Sequence, residues 1–438
     1  MKNTLSAILA GIIGLCSIGL VEAGVLPFDK AEYSARRAKL MAEVSDGIAI
    51  IPGTRSGQQN NEIKYFCGVE VPRVVLIVDG IRKESILFYT TSVNYLRGRG
   101  LGPELARDPK GTTGVEKYYP ARQFSDILTK LVEQTSIIYT PFRSELREPD
   151  LSTSDEWDGR LTRQLRFVKL LQERFSQVQI KDCSEIIWEI RRIKTQAEIE
   201  FLRQAGQIGV QAMIEVMKAA KPGQYEYELS SLYEYVCKRQ GCRELAFDVI
   251  ISSAENHRYL HYSGHNRLLA DGDFLVVDAG PKYQGYDTDT TISFPINGKF
   301  TPRQREIYQA CLEVSKGCIA LYKPGITGYE IGKKVQQMLQ EKGYDLNKDA
   351  FSRLRFFREG GITHYVGLAT HDAGGRDLPP NRPLEPGMVF ACDVFAVYPD
   401  ENLGVRVENT VLITETGCEN LNPGLPREIS KIEVLMKK

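Results

Sequence analysis

The sequence has no excess of charge of either sign, because its 438 residues include 56 lysines and arginines and 56 aspartates and glutamates. It also lacks a long run of one charge, which a polyanionic partner such as nucleic acid would favour. Zinc-finger patterns and the His-Glu-x-x-His motif are absent. Histidine is scarce, with five residues in all. These absences argue against nucleic-acid binding and against two common zinc sites, and they draw attention to the few histidines that are present.

The length of the chain exceeds that of a usual single core, so two domains are expected. Residues 24–183 alternate helix-like and strand-like stretches, which predicts an α/β domain, and Asp79-Gly80 between apolar runs is a hairpin signal. This first domain offers no pair of acids or histidines suited to chemistry. We expect it to serve packing or oligomerisation, and we expect the chemistry in a second domain at residues 184–438.

The amino terminus predicts a signal peptide at residues 1–23. Lys2 precedes an apolar run, and the small residue Ala23 stands at the expected cleavage point. The alternative is an uncleaved membrane anchor, but the run is shorter than the ~20 apolar residues that a spanning helix needs. We therefore expect a secreted or periplasmic protein with no stable membrane insertion after cleavage. Eight cysteines then remain, and disulfides between them are possible but not required.

A helix pattern occurs twice in the second domain. One helix begins with a capping box at Thr195 and Glu198 and stops at Lys221-Pro222-Gly223, and a second begins at Thr301 and stops at Lys323-Pro324-Gly325. A repeat of this length, roughly a hundred residues, suggests two similar half-domains with a seam that could hold a site. The alternative is that both stretches are simply well-formed helices.

Oxygen and nitrogen ligands follow one another on strand-like sequence of the second domain. Antiparallel pairing of two strands would bring Asp278 and Asp289 together, and carboxylates so close in an apolar setting resist ionising unless a cation lies between them. Asp393 is predicted to end a third strand. Arg406 and Glu408 share one face of a fourth strand, where such a pair is usually a surface ion pair. The candidate metal ligands are Asp278, Asp289, His364, Asp393 and Glu408.

These ligand types favour hard or borderline divalent ions, namely manganese first, with cobalt or zinc possible. Four carboxylates in one site favour two ions, because a second cation offsets the remaining negative charge. The alternative for the first two acids is a hairpin whose carboxylates face water.

The order and spacing of these motifs resemble the pita-bread metallopeptidases, and within them aminopeptidase P and prolidase. The resemblance covers nearly the whole chain, beginning with Arg36-Arg37 and Ile50-Ile51-Pro52-Gly53. It implies an α/β N-terminal domain followed by an α+β pita-bread domain with an internal pseudo-twofold repeat. The motifs that carry it in the second domain are Leu260-His261-Tyr262, Asp271-Gly272-Asp273, Asp278-Ala279-Gly280, Asp289, His364, His371, Glu385-Pro386-Gly387 and Arg406-Val407-Glu408.

The resemblance also implies a role for each site residue. Asp278 would bind one metal ion, His364 and Asp393 the other, and Asp289 and Glu408 both. The implied catalytic residues are His261, His371 and Asp393, and the implied substrate-binding residues are His261, His371 and Arg406.

Two positions depart from the family pattern. Asp393 stands where the family usually has glutamate, and Gly360 stands where it has a pocket histidine. An aspartate side chain is shorter by about one bond, and proton transfer requires hydrogen-bond reach. We therefore expect reduced activity to be possible with metal binding retained.

The function implied by the resemblance is removal of the amino-terminal residue from peptides, especially a residue that precedes proline, with two divalent ions. Peptide substrates and a homo-oligomer, dimer or tetramer, are the implied partners. One alternative is a prolidase that acts on dipeptides, and another is a non-catalytic relative that binds peptides. A metal-free hydrolase of the creatinase kind is disfavoured because Asp278, Asp289 and Glu408 are all present.

Overall fold

A computed structural model describes residues 26–55, 60–143, 161–375 and 378–437. The predicted signal peptide at residues 1–23 lies outside this range. Within the described residues, none of the helices combines the length and the apolar character that crossing a bilayer requires.

Fifteen helices, several of them single turns, are distributed along the described chain. They are α1 (Lys30–Glu43), α2 (Asn61–Cys67), α3 (Val93–Gly98), α4 (Glu104–Arg107), α5 (Pro109–Thr113), α6 (Phe124–Val132), α7 (Arg163–Arg174), α8 (Ser184–Arg192), α9 (Gln196–Ala219), α10 (Glu226–Arg239), α11 (Pro302–Leu321), α12 (Gly328–Glu341), α13 (Asp349–Ser352), α14 (Asp372–Gly375) and α15 (Ile429–Leu435).

Sixteen strands occur in the same described ranges and form three sheets. They are β1 (Ile48–Pro52), β2 (Val75–Asp79), β3 (Glu84–Phe88), β4 (Lys117–Tyr119), β5 (Ile137–Thr140), β6 (Gln179–Asp182), β7 (Glu244–Leu245), β8 (Ile250–Ser253), β9 (Phe274–Ala279), β10 (Pro281–Tyr283), β11 (Tyr286–Asp287), β12 (Thr290–Pro295), β13 (Ile362–Tyr365), β14 (Val389–Tyr398), β15 (Leu403–Ile413) and β16 (Cys418–Asn420).

The first sheet is mixed and has the strand order β4-β3-β2-β1-β5-β6. Its β2–β3 hairpin turns after Asp79, as the sequence predicts. Side chains alternate between its two faces, so that Ile48 and Ile50 pack toward α6 and α7 while Ala49 and Ile51 join the main core. The N-terminal part of the chain is therefore an α/β unit, as expected.

The largest sheet belongs to the C-terminal part and is antiparallel throughout its seven strands. Its order is β13-β14-β15-β12-β9-β8, with β16 paired to β15, and a separate three-stranded sheet has the order β11-β10-β7. Strands β9, β12 and β15 are buried along their whole length, so both of their faces are covered. Such burial is unusual for an antiparallel sheet, which commonly leaves one face to water.

The two predicted helices form with the predicted caps. Thr195 and Thr301 both accept from the backbone of the third helical residue, and Glu198 and Gln304 complete the two capping boxes. Helix α9 has 24 residues and α11 has 20, so the first copy is about one turn longer. Helix α11 packs on β14 and β15, whereas α9 packs on α10 and β10.

A buried charged cluster joins the two parts of the chain. Arg36 of α1 binds Glu32 at 2.9 Å and lies 3.7 Å from Glu198 of α9. The hydroxyl of Tyr286 donates to the other oxygen of Glu198 at 3.0 Å. Because Tyr286 begins β11, this cluster connects the N-terminal part to the loop that leads into β12.

Gly280 offers a test of how tightly this loop is packed. A Cβ atom at this position would lie 1.7 Å from the carbonyl oxygen of Thr288, so Gly280→Ala must displace the backbone between β9 and β12. We predict that this substitution lowers the free energy of unfolding by about 1–3 kcal/mol, measured by urea denaturation. Gly98→Ala is the control, because a Cβ atom there meets no described atom within 4 Å. Equal stability of the two variants would contradict this packing.

Candidate metal centre

Four polar residues form a row across neighbouring strands of the large sheet. Thr291 of β12 pairs with Asp278 of β9 on one side and with Glu408 of β15 on the other, and Glu408 pairs with Asp393 of β14. Residues directly opposite each other in an antiparallel sheet point to the same face. The register therefore places three carboxylates side by side on one face, and Asp289 lies directly before β12.

The predicted metal ligands are all buried. Their exposed fractions are 2% for Asp278, 3% for Asp289 and Asp393, 5% for His364 and 0% for Glu408. Ionised carboxylates are costly to bury unless they are paired with a cation or hydrogen-bonded. The alternative that these acids face water is therefore wrong.

Arg406 supplies one cation to this cluster. It lies two residues before Glu408 and binds Asp278 at 2.6 Å, Glu408 at 3.3 Å and Asp393 through two contacts of 3.1 and 3.0 Å. The alternative of a surface Arg-Glu pair is thus wrong, because β15 is covered on both faces and Arg406 is 8% exposed. One guanidinium faces four carboxylates, so three negative charges remain when all are ionised.

Burial and mutual repulsion raise the pKa values of three of these acids. Burial, followed by the charges of Glu408 and Asp278, raises the pKa of Asp289 well above its usual value. Burial likewise raises the pKa of Glu408 well above its usual value, and Arg406 only partly opposes that rise. Burial also raises the pKa of Asp393 against the opposing effect of Arg406. A divalent cation would remove the cost of ionising these groups.

His364 is held in a form suited to metal binding. Burial lowers its pKa to about 3, so the imidazole is neutral near pH 7. Its Nδ1 lies 2.9 Å from the carbonyl oxygen of Thr370, which assigns the proton to Nδ1 and leaves the lone pair on Nε2. That Nε2 atom lies 3.5 Å from Asp289 and 4.0 Å from Glu408.

Three of these residues are close enough to share one ion. Ligand atoms of Asp289, His364 and Glu408 lie within 4.8 Å of one another. Among the described residues, one buried oxygen of Asp278, one of Asp289 and one of Glu408 have no hydrogen-bond partner. Unpartnered buried carboxylate oxygens fit a metal site because a cation would take the place of the missing donors.

Two threonines support the ligands and were not predicted from the sequence. The Thr291 hydroxyl donates to Glu408 at 2.7 Å, and the backbone N–H of Asp289 donates to the Thr410 hydroxyl at 2.8 Å. Thr291 is two residues after Asp289. Because side chains in a strand alternate between its two faces, this spacing could have identified Thr291 from the sequence.

The histidines divide between the site and the core. The ring of His371, which is exposed, stacks on His364 with centroids 3.9 Å apart. His261, also exposed, is close enough for its charge to act on Asp393. His257 is different, because it is buried and binds Ser252 and the carbonyl oxygen of Phe274.

A buried ion cluster anchors the segment that carries His371. The neighbouring Asp372 binds Lys194 at 2.8 Å and also pairs with Arg191. Although burial raises the pKa of Asp372, the two cations hold it at about 2. The carboxylate therefore stays ionised at neutral pH and ties His371 to helix α8 and the residues after it.

Gly360 has no room for the histidine that the family pattern would place there. Its φ is +70°, and a Cβ atom would lie 2.7 Å from the carbonyl oxygen of Gly328 and 2.8 Å from Cβ of Ile331. The hydroxyl of Tyr322 also donates to the Gly360 carbonyl at 2.6 Å. This backbone packs against α12, so restoring a histidine would require the segment to move.

The raised pKa values of Asp289 and Glu408 predict that stabilisation by metal increases with pH. At low pH a divalent ion must displace protons from these carboxylates, whereas at high pH they are already ionised and repel one another. Manganese should therefore raise the melting temperature of the metal-free chain more at about pH 8 than at about pH 5.5. His364→Ala is the control and should lose most of the shift at both values. Equal shifts at the two pH values would argue against the site.

Comparison with known proteins agrees with this geometry. The profile of the metallopeptidase family M24 matches residues 200–415. The chain is 30% identical to the Xaa-Pro aminopeptidase of Escherichia coli, across 93% of this chain and 98% of that protein. It is 32% identical to the human Xaa-Pro dipeptidase, across 57% of this chain and 61% of that protein.

Solved structures lead to the same result. The proline aminopeptidase P II from Yersinia pestis superposes with a TM-score of 0.75 at 27% identity, and the match covers 93% of this chain and 99% of that one. Together with the buried acids and His364, these similarities confirm the predicted pita-bread fold. The chain belongs to the metallopeptidase family M24, and it is a relative of the Xaa-Pro aminopeptidases.

Proposed function

We propose that the chain is a metal-dependent aminopeptidase that removes the first residue of a peptide, preferentially one that precedes proline. The observation that carries this proposal is the group of Asp289, His364 and Glu408 within 4.8 Å of one another, buried beside two further carboxylates. The peptidase activity is proposed because the chain belongs to the metallopeptidase family M24 and is similar to the Xaa-Pro aminopeptidase of Escherichia coli.

The charge of the site supports two divalent ions. The four carboxylates and Arg406 carry a net charge of −3 when ionised, and one dication leaves that charge only partly offset. The proposed ligands are Asp278, Asp289, His364, Asp393 and Glu408, and oxygen-rich ligation of this kind suits manganese, with cobalt or zinc also acceptable. When bound, such ions polarise a peptide carbonyl and lower the pKa of a coordinated water.

The chain's own residues would orient the substrate. His261 and His371 are exposed at the site, where their ring N–H groups can donate to the carbonyl of the bond to be cleaved. Asp372 would keep His371 in place through its buried pairing with Lys194. Asp393 is the proposed proton carrier, and its raised pKa suits a carboxylate that takes up a proton during a reaction.

An aminopeptidase is favoured over a prolidase by the extent of the similarity. The E. coli Xaa-Pro aminopeptidase matches nearly the whole chain, whereas the human Xaa-Pro dipeptidase matches 57% of it. The N-terminal α/β unit is therefore shared with the aminopeptidase. We propose, from the family resemblance, that the chain assembles as a dimer or tetramer, which light scattering after gel filtration would detect.

A substrate assay tests this function. The purified chain with manganese should release the first residue from Xaa-Pro peptides of four or more residues, detected by mass spectrometry, and should act more slowly on Xaa-Pro dipeptides. Asp289→Asn should lower kcat/KM by at least about a hundredfold, because it weakens a group proposed to hold both ions. Cleavage of dipeptides alone would favour a prolidase. Metal binding without any cleavage would indicate a non-catalytic peptide-binding relative.

We propose that the protein is exported, because residues 1–23 carry a signal-peptide pattern. Expression of the full chain in a bacterial host should give a periplasmic or secreted product whose first residue is Gly24, read by amino-terminal sequencing. A chain that starts with Met followed by Gly24 is the matched control and should remain in the cytoplasm. A full chain found in the cytoplasm with Met1 retained would refute export.

A further inference from the structure

We infer that Asp287 is a positioning residue of the candidate metal centre, because through Thr370 it holds the loop that fixes His364 and His371. This inference rests on the proposed function, which gives the two histidines their roles. Asp287 lies two residues before Asp289 and was not singled out by the sequence motifs.

Asp287 binds both ends of a short loop, residues 367–370. Its backbone N–H donates to the carbonyl oxygen of Gly367 at 2.7 Å, and one of its carboxylate oxygens accepts from the Thr370 hydroxyl at 3.2 Å. Within the loop, the N–H of Gly367 donates to the carbonyl oxygen of Ala369 at 3.1 Å, so the chain turns tightly here. One residue of β11 therefore sets the position of a loop that follows β13.

The 367–370 loop fixes the ring of His364. The carbonyl oxygen of Thr370 lies 2.9 Å from Nδ1 of His364, and a hydrogen bond from Nδ1 keeps the lone pair on Nε2, where an ion would bind. If this carbonyl moved, the proton could shift to Nε2, because a neutral imidazole can carry it on either nitrogen. The position of Thr370 therefore determines how His364 presents Nε2.

The same loop leads directly into His371. The His371 ring stacks on His364 with centroids 3.9 Å apart, and the next residue, Asp372, binds Lys194 at 2.8 Å. His371 thus lies between two anchored residues, Thr370 before it and Asp372 after it. Both anchors are needed to hold an exposed ring in one place, and Asp287 provides the first of them.

A lysine supports the carboxylate of Asp287 in the interior. Asp287 is 1% exposed, and Nζ of Lys282 lies 2.6 Å from its second oxygen. This cation offsets the carboxylate charge, so the first oxygen can accept from Thr370 as an anion. The Thr370 hydroxyl also lies 3.3 Å from the carbonyl oxygen of Ala246. A hydroxyl has a single proton to donate, and the charged acceptor is the stronger of the two.

Kinetics of residues 24–438 with saturating manganese test the inference. Asp287→Ala and Thr370→Val should each lower kcat on an Xaa-Pro tetrapeptide by about tenfold and leave KM nearly unchanged, since His371 is proposed to act on the reacting carbonyl. The double variant should be no slower than the slower single variant, because both changes remove one contact. Asp287→Asn keeps an acceptor oxygen and should recover part of kcat. Glu244→Gln is the matched control, because Glu244 is exposed and lies opposite Lys282 on the neighbouring strand, and it should keep the original kcat.

NMR of the metal-free chain with nitrogen-15 in its histidines gives a readout that is independent of activity. The sequence has five histidines, and His364→Ala identifies the signals of His364. In the unaltered chain the proton of His364 should be on Nδ1. In Thr370→Val the proton should be distributed between both ring nitrogens. Circular dichroism checks that each variant is folded.

The outcomes separate the inference from the proposed function. Folded variants with unchanged kcat and an unchanged His364 proton would overturn the inference, even if they unfold more easily. A proton on Nε2 of His364 in the unaltered chain would also overturn it. If Asp287→Ala does not fold, the smaller change Thr370→Val decides both measurements. An unaltered chain that cleaves no Xaa-Pro peptide would overturn the proposed function, while a proton that shifts in Thr370→Val would still support the positioning role.

Discussion

The pairing of Arg406 with three buried carboxylates is the interaction on which the rest of the site depends. Asp278, Asp393 and Glu408 point to one face of one sheet and would repel one another in a dry interior. A single guanidinium reduces that repulsion without removing it, and the pKa of Glu408 stays raised. The sheet thus holds a charge imbalance that favours binding of divalent cations.

The surrounding fold fixes the positions of these charged side chains. Strands β9, β12 and β15 are buried on both faces, and helix α11 packs against β14 and β15. The cluster of Arg36, Glu198 and Tyr286 ties the N-terminal unit to the loop before Asp289. Ligands held in this way need little rearrangement when an ion binds, which is the condition for a preorganised catalytic site.

The fold, and the grouping of the five proposed ligands in one buried cluster, could be predicted from the sequence because both depend on local patterns and motif order. Capping boxes located α9 and α11. Strand β9, which carries Asp278, pairs as expected with β12, which begins directly after Asp289. The contacts within the site could not be predicted, since they depend on which strands become neighbours. The strand expected to end at Asp393 continues to Tyr398 because its second half pairs with Leu403–Val407. That pairing buries Arg406, for which the strand pattern alone had left a surface ion pair with Glu408 as an alternative.

The most direct test of metal binding at this site is a crystal structure of residues 24–438 grown with manganese, with diffraction data collected on both sides of the manganese absorption edge. We expect a strong anomalous peak in contact with Asp289, Nε2 of His364 and Glu408. Ordered carboxylates with no anomalous peak between them, or a peak only at the protein surface, would contradict it.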